Sequence, residues 1–222
     1  MQGLKPLTKS ELKKYNFLFN TIKSNMGFVP ESMKAMARIP AVMANFSMLS
    51  GILIADSKKT NPLSAFILSV KNMFWSLSFL NKKDRLPMYL RNLVAHVSSN
   101  ASGCRYCQAH TIGEAAHNGA SKAQLESIWD FENSNAFDEA EKAALRFGFA
   151  AGSVPNTVDE SHFIELRKYY TEDQILELGA IISLFGFLNR WNDTFATTLE
   201  QTPLDNAEKY LKKSGWSIGK HQ

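Results

Sequence analysis

The chain has 222 residues, 45% of them hydrophobic and 21% charged, with 12 Gly and 7 Pro. That balance can bury a sizeable core and excludes a disordered, fibrous or low-complexity chain. The net charge of +4 hides an asymmetry, since residues 1–92 carry 14 Lys/Arg against 4 Asp/Glu and residues 93–222 carry 11 against 17. The basic residues fall on amphipathic patterns or in short pairs such as Lys13-Lys14, Lys58-Lys59 and Lys82-Lys83, which argues against a nucleic-acid partner. The first residues are polar and lysine-rich, unlike an export leader, so a cytoplasmic protein is expected. The most apolar stretch, Ala65 to Leu80, is interrupted by Lys71-Asn72 and falls short of a bilayer span; a buried helix and no membrane partner are expected there.

In chain order, helix signals dominate. Thr8 and Glu11 form a capping box ahead of apolar spacing from Leu12 to Met26, ended by Gly27. Pro30 and Pro40 suit the first turns of two helices, one to about Ile39 and one from Ala41 to Leu53. Pro62 opens the apolar helix, and Pro87 precedes a stripe of Leu90, Leu93, Val94 and Val97. A turn over Asn100 to Gly103 leads to a helix from Cys104 to about His117, closed by Asn118-Gly119. Further capping boxes at Ser121/Gln124, Asp138/Glu141 and Thr171/Gln174 start three more helices, the last running to about Leu199, and a polar pattern from Asn206 to Lys213 ends the series. No alternating run longer than four residues occurs, so the fold class is all-α with about nine or ten helices. With no linker or repeat in view, residues 1–222 read as one domain.

The chemistry concentrates in Ser102-Gly103-Cys104-Arg105-Tyr106-Cys107-Gln108-Ala109-His110-Thr111. Two cysteines three positions apart on a first helical turn can bridge, and the positive end of the helix favours a thiolate. His110 lies on the same helical face as Cys107, and Arg105 adds positive potential. The spacing leaves two other readings open. The cysteines could be inert core residues. Cys104, Cys107, His110 and His117 could be zinc ligands, although a single helix makes a poor tetrahedron of them. Covalent haem attachment requires His directly after the second Cys, where this chain has Gln108.

Leu93 to Ser99, the segment Gly103 to Thr111, the run Glu141 to Phe147 and the ending Phe187-Leu188-Asn189-Arg190-Trp191-Asn192-Asp193 together resemble the AhpD-like, carboxymuconolactone decarboxylase family. The likeness is in particular to its branch of uncharacterised peroxidase-related proteins. The resemblance covers roughly residues 30–200, with 1–29 and 201–222 as peripheral helices. It implies an AhpD-like helical bundle and a thiol-dependent alkylhydroperoxidase without a bound cofactor, whose redox-active disulfide is reopened by an external thiol or dihydrolipoyl-type dithiol. It further implies that Cys107 attacks the peroxide, that Cys104 resolves the sulfenic acid, and that the chain forms a homo-oligomer. His110 stands in for the relay histidine, which in the family lies one residue farther from the second cysteine. The relay glutamate falls on Asn92, which cannot carry a proton; Glu114, or else His96, is the candidate substitute.

Two further features accompany the motif. Asn189, Arg190, Asn192 and Asp193 form a polar cluster late in an apolar helix, read as structural or interfacial rather than substrate-binding. Trp75, Phe74 and Phe79 form an aromatic stripe read as core or subunit interface. The competing functions are a non-catalytic redox sensor or interaction protein, for which the missing glutamate speaks, and a carboxymuconolactone-decarboxylase-type enzyme, although decarboxylating members generally lack the cysteine pair.

Overall fold

A computed structural model describes residues 3–4, 7–54 and 62–222 of the chain. The Lys58-Lys59 pair, and part of the amino-terminal segment read for a leader, lie outside the described residues. Those residues contain α-helices and short 3-10 turns and no strand, so the chain is all-α.

Contacts within the chain gather into two compact units, one of Leu4–Arg85 and one of Leu86–Gln222 with Met1–Gly3. The first holds α1 (Lys9–Lys13), α2 (Asn16–Met26), α3 (Glu31–Met36), α4 (Pro40–Ile54) and α5 (Pro62–Leu80). The Thr8/Glu11 capping box is present, but the backbone turns at Tyr15, so the expected single helix is two. Gly27 at φ +82° ends α2, a conformation in which a side chain is strained. The core of this unit is Tyr15, Leu18, Phe19, Met33, Ala37 and Met43, with Leu68 and Trp75 of α5 packed against it. Trp75 meets Tyr15 edge to face at 5.8 Å.

α5 departs from expectation. It is not a buried helix: Asn72 is its one buried residue, bonded to Asn45 of α4, while Leu63, Phe66, Met73, Phe74, Leu77 and Leu80 are exposed. Trp75 belongs to the core, whereas Phe74 does not. The physical reason is the position of the polar residues. Asn72 and Lys71 face the partners within the unit, Lys71 lying over Phe17 at 4.9 Å, which turns the apolar side outward. By length and composition α5 is long and apolar enough to cross a membrane.

The second unit holds α6 (Met88–Ala101), α7 (Arg105–His117), α8 (Lys122–Ser127), α9 (Glu139–Gly152), α10 (Glu160–Leu166), α11 (Glu172–Phe195) and α12 (Gln201–Leu211). The boxes at Ser121, Asp138 and Thr171 all close. A further one, Asp159 with His162, starts α10, which the sequence pattern did not show. Helix α6 is the central element, packed against α7, α9 and α11. Leu93, Val94, Ile112, Ala144, Leu145 and Leu178 lose all solvent exposure there, each larger side chain contributing about 1.5–3 kcal/mol. The carboxylate of Glu141, buried at 7% exposure, ties three helices together. It accepts from Tyr89 Oη at 2.8 Å and Gln124 Nε2 at 2.9 Å, and from its own capping amide at Asp138. Burial and this bond push the Tyr89 phenol up to about 12. The segment 201–222 lies against the motif helix, with α12 packed on α7 and Ala207 and Leu211 buried.

The approach of α6 to α9 is closest at Gly152, where an added Cβ would stand 2.6 Å from the Ser98 carbonyl oxygen and 2.8 Å from its Cα. Both atoms are backbone, so neither can swing aside. Gly152→Ala gains up to about 1 kcal/mol of helix propensity, against an overpacking cost of about 1–3 kcal/mol. The expected result is a net loss of up to about 2 kcal/mol, read as a lower urea midpoint at unchanged slope; a raised midpoint would contradict the packing.

Candidate active site

The turn from α6 into α7 builds the site. Gly103 at φ +78° reverses the chain, and the Cys104 amide returns to the Ser99 carbonyl at 3.0 Å. This leaves Cys104 as the N-cap of α7, in the place usually held by Ser, Asp or Asn. Its sulfur accepts the Cys107 backbone N–H at 3.3 Å. Both cysteines are free and buried, at 1% and 3% exposure.

This geometry makes the two thiols unequal. A hydrogen bond from the Cys107 thiol is the largest influence holding Cys104 below the ordinary thiol range, with the Cys107 amide adding to it against the opposing effect of burial. Lys220 also favours the Cys104 thiolate, and Asp193 opposes it. Cys107 is pushed far up, first by that same bond and then by burial; the Asn192 amide, 3.6 Å from its sulfur, works the other way. Both directions favour the thiolate on Cys104 over Cys107, whereas the family resemblance implies attack by Cys107.

The remaining residues singled out in the sequence take different places. His110 makes no hydrogen bond to either sulfur. Its Nε2 donates to Glu200 Oε2 at 2.9 Å, and Tyr106, whose ring lies 4.4 Å from the imidazole, donates to the other carboxylate oxygen at 3.1 Å. Burial, followed by the Glu200 bond, pushes Tyr106 up to about 12. The Glu200 carboxyl lies below its usual range, held first by its own backbone amide and then by His110. Glu114 is exposed and bonds Asn118 of its own helix, away from the sulfurs. Asn92 bonds back to the Met88 carbonyl.

His96 is the candidate that reaches the motif. It is 2% exposed, and its Nδ1 lies 3.1 Å from the Gln108 carbonyl and 3.2 Å from Thr111 Oγ1. A carbonyl only accepts, which fixes the proton on Nδ1. Thr111 in turn donates to the Cys107 carbonyl at 2.7 Å. A buried histidine thus reaches the backbone of the cysteine helix through the residue that occupies the family's relay position.

Glu200, Lys220 and His221 were not found from sequence. His221 is 1% exposed, donates from Nδ1 to the Thr197 carbonyl at 2.8 Å and lies 5.8 Å from the Tyr106 ring. Lys220 pairs with Asp193 at 2.9 Å. No sequence spacing links these positions to the cysteines; the fold of the segment after α12 brings them there. The polar cluster of α11 also enters the site, Asn192 against Cys107 and Asp193 in the field of both sulfurs. Among the described residues, no group of three or more His, Cys, Asp or Glu is placed to hold a metal ion.

The described residues thus form helices alone and hold a buried CxxC pair at the N-terminus of α7. The model of the carboxymuconolactone decarboxylase family matches residues 69–149 of the chain. Among its relatives, the uncharacterised protein YnjA of Escherichia coli (strain K12) is 29% identical over 128 residues, which are 57% of this chain and 69% of YnjA. The crystal structure of the debrominase Bmp8 is similar at 26% identity and a TM-score of 0.56, over 95% of this chain and 98% of Bmp8. A Bmp8 variant with one cysteine changed to alanine, with the same similarity, holds 2,3,4-tribromopyrrole. A protein of unknown function from Agrobacterium tumefaciens, whose description points to AhpD-type antioxidant defence, shares the fold at 19% identity and a TM-score of 0.50, over 65% of this chain and 94% of its own.

The buried imidazole yields a pH prediction. Burial lowers His96 from 6.5 to about 4. Between those values the unfolded chain binds a proton that the folded chain refuses, so stability falls as the pH drops from 6.5 to about 4. The full loss is on the order of 3 kcal/mol. Urea midpoints should decline through this window in the wild type and less steeply in His96→Asn; parallel profiles would show that His96 does not titrate there.

Proposed function

We propose that the chain is a dithiol oxidoreductase that reduces organic hydroperoxides with the Cys104–Cys107 pair. The observation carrying this reading is the Cys104 sulfur, held as helix N-cap by the Cys107 amide and thiol. A thiolate is the nucleophilic form of cysteine, and a second thiol within bonding reach allows a two-electron reduction to end in a disulfide.

In this reading the Cys104 thiolate attacks the terminal peroxide oxygen and the O–O bond breaks. The alkoxide leaves and takes the Cys107 proton, giving the alcohol, while Cys104 becomes a sulfenic acid. Cys107, now deprotonated, attacks the Cys104 sulfur; the S–S bond forms and hydroxide leaves, taking a proton from solvent to become water. An external dithiol then returns two electrons and two protons. The high pKa of Cys107 fits this order, because it keeps the proton in place until the leaving group needs it.

The similarity to Bmp8 over 95% of this chain favours a second substrate for the same couple, a brominated aromatic ring. Two thiols and one C–Br bond would give C–H, hydrogen bromide and the disulfide, again a two-electron reduction.

The test is consumption of tert-butyl hydroperoxide with dithiothreitol as regenerant. Wild type should turn over, and Cys104→Ser and Cys107→Ser should both lose multiple turnover. Cys107→Ser should consume one equivalent and carry a dimedone-type adduct on Cys104. An adduct on Cys107 in Cys104→Ser, with none in Cys107→Ser, would reverse the assignment. Wild type that leaves the hydroperoxide intact yet releases bromide from 2,3,4-tribromopyrrole would replace the first substrate with the second.

A further inference from the structure

Near the cysteine pair, α6, α9 and α11 line a half-open cavity of about 510 Å³, whose lining includes neither cysteine. This is within the range of small-ligand sites. Two parts of its lining are neighbours of the pair along the chain. Ser102 of its lining is two residues before Cys104, and Asn189 and Asp193 flank Asn192, whose amide touches the Cys107 sulfur.

Its polar groups divide into two sets. Ser102 is committed within the chain, donating to the Gly152 carbonyl at 2.8 Å, and Asp193 is neutralised by Lys220 at 2.9 Å. Asn189 and Ser98 are not committed. Asn189 is 3% and Ser98 1% exposed, yet neither the Asn189 amide nitrogen, its oxygen nor the Ser98 hydroxyl has a hydrogen-bond partner among the described residues. Leaving such groups unpaired costs about 1–3 kcal/mol each, a penalty that a ligand can lift. Arg190 also lines the cavity, is exposed to solvent, and forms no ion pair among the described residues. One guanidinium fork with an amide and a hydroxyl matches a monoanion with two coplanar oxygens. Ala151, Val154 and Ile182 supply apolar wall for a hydrocarbon tail.

We propose that this cavity binds the carboxylate of an organic acid that reacts at the Cys104–Cys107 pair, with Arg190, Asn189 and Ser98 as the groups that hold it. The proposal deepens the oxidoreductase reading and rests on it for the reaction, but not for the binding. A phosphate fits less well, since a dianion would face one unpaired cation with the Asp193 carboxylate in the same wall. The acid can be the hydroperoxide that is reduced or the dithiol that reopens the disulfide, and the two sources are separable.

Binding is measured first, by calorimetry with hexanoate as an unreactive probe, on the full chain. Wild type should bind it, Arg190→Gln should bind roughly 10- to 100-fold more weakly, and Arg190→Lys, which keeps the charge, should fall between. Asn189→Leu should also weaken binding, with circular dichroism confirming that its helices remain. No binding by wild type, or equal binding by Arg190→Gln, overturns the proposal. Hexanoate binding without turnover of any hydroperoxide or bromoarene sinks the oxidoreductase reading and leaves the pocket standing. The source is then read from kcat/KM ratios of acid to methyl ester, for a carboxylate-bearing hydroperoxide in the oxidising step and for dihydrolipoate in the reducing step. A preference for the acid in either step, collapsing toward one in Arg190→Gln, supports the proposal and names the source; no preference in both overturns the link to the cysteines.

Discussion

The site depends on one hydrogen bond, from the Cys107 backbone amide to the Cys104 sulfur at 3.3 Å. The first amides of a helix have no partner inside it, and here a thiol supplies one. The same bond caps α7, aims Cys104 along the helix axis and places the developing negative charge against the positive end of the peptide dipoles. Gly103 makes it possible, because the left-handed turn at φ +78° lets α6 and α7 meet at an angle that returns the Cys104 amide to Ser99. The second thiol lies one turn along the helix and takes the opposite character. Two like charges cannot both develop in so small a buried space, so lowering one thiol raises the other.

Around that bond the second unit provides rigidity, with Lys220 and Asp193 as the charges that act on the Cys104 thiolate in opposite directions. Helix α6 runs through its centre, fixed to α9 by backbone approach at Gly152 and to α8 and α9 by the buried Glu141 carboxylate. His96 is kept neutral by burial and holds the carbonyl of Gln108, next to Cys107. Titratable groups of higher exposure, His110, Tyr106 and Glu200, form their own cluster on the outer face of α7. The cysteine pair therefore sits between a neutral buried side and a charged outer side, and the outer side carries none of the bonds that set the thiolate.

The sequence revealed the helices well where local chemistry decides them. Capping boxes at Thr8, Ser121, Asp138 and Thr171 close as the spacing required, and Pro62 opens α5 where expected. It failed where the partner is distant. The outward face of α5 could not be read, because an apolar run looks the same whether its neighbours cover it or not, and the position of Asn72 decides the matter only once Asn45 is known to face it. The cysteines were legible from a three-residue spacing, but their partners were only half so. His110 was placed correctly on the helix and incorrectly in its bond, because helical spacing cannot see Glu200 ninety residues away. Asn192 was noticed as polar within an apolar helix, a signal that marked a contact with Cys107.

The central claim is that Cys104 is the thiolate and that Cys107 makes it so. Its most direct test is a pH titration of ultraviolet thiolate absorbance on the fully reduced protein. The wild type should show one thiol ionising below the ordinary thiol value and a second well above it. Cys104→Ser should lose the low step, and Cys107→Ala, which has no side-chain donor, should keep it but displace it upward as the thiol bond disappears. A low step that survives in Cys104→Ser and vanishes in Cys107→Ala would contradict the account.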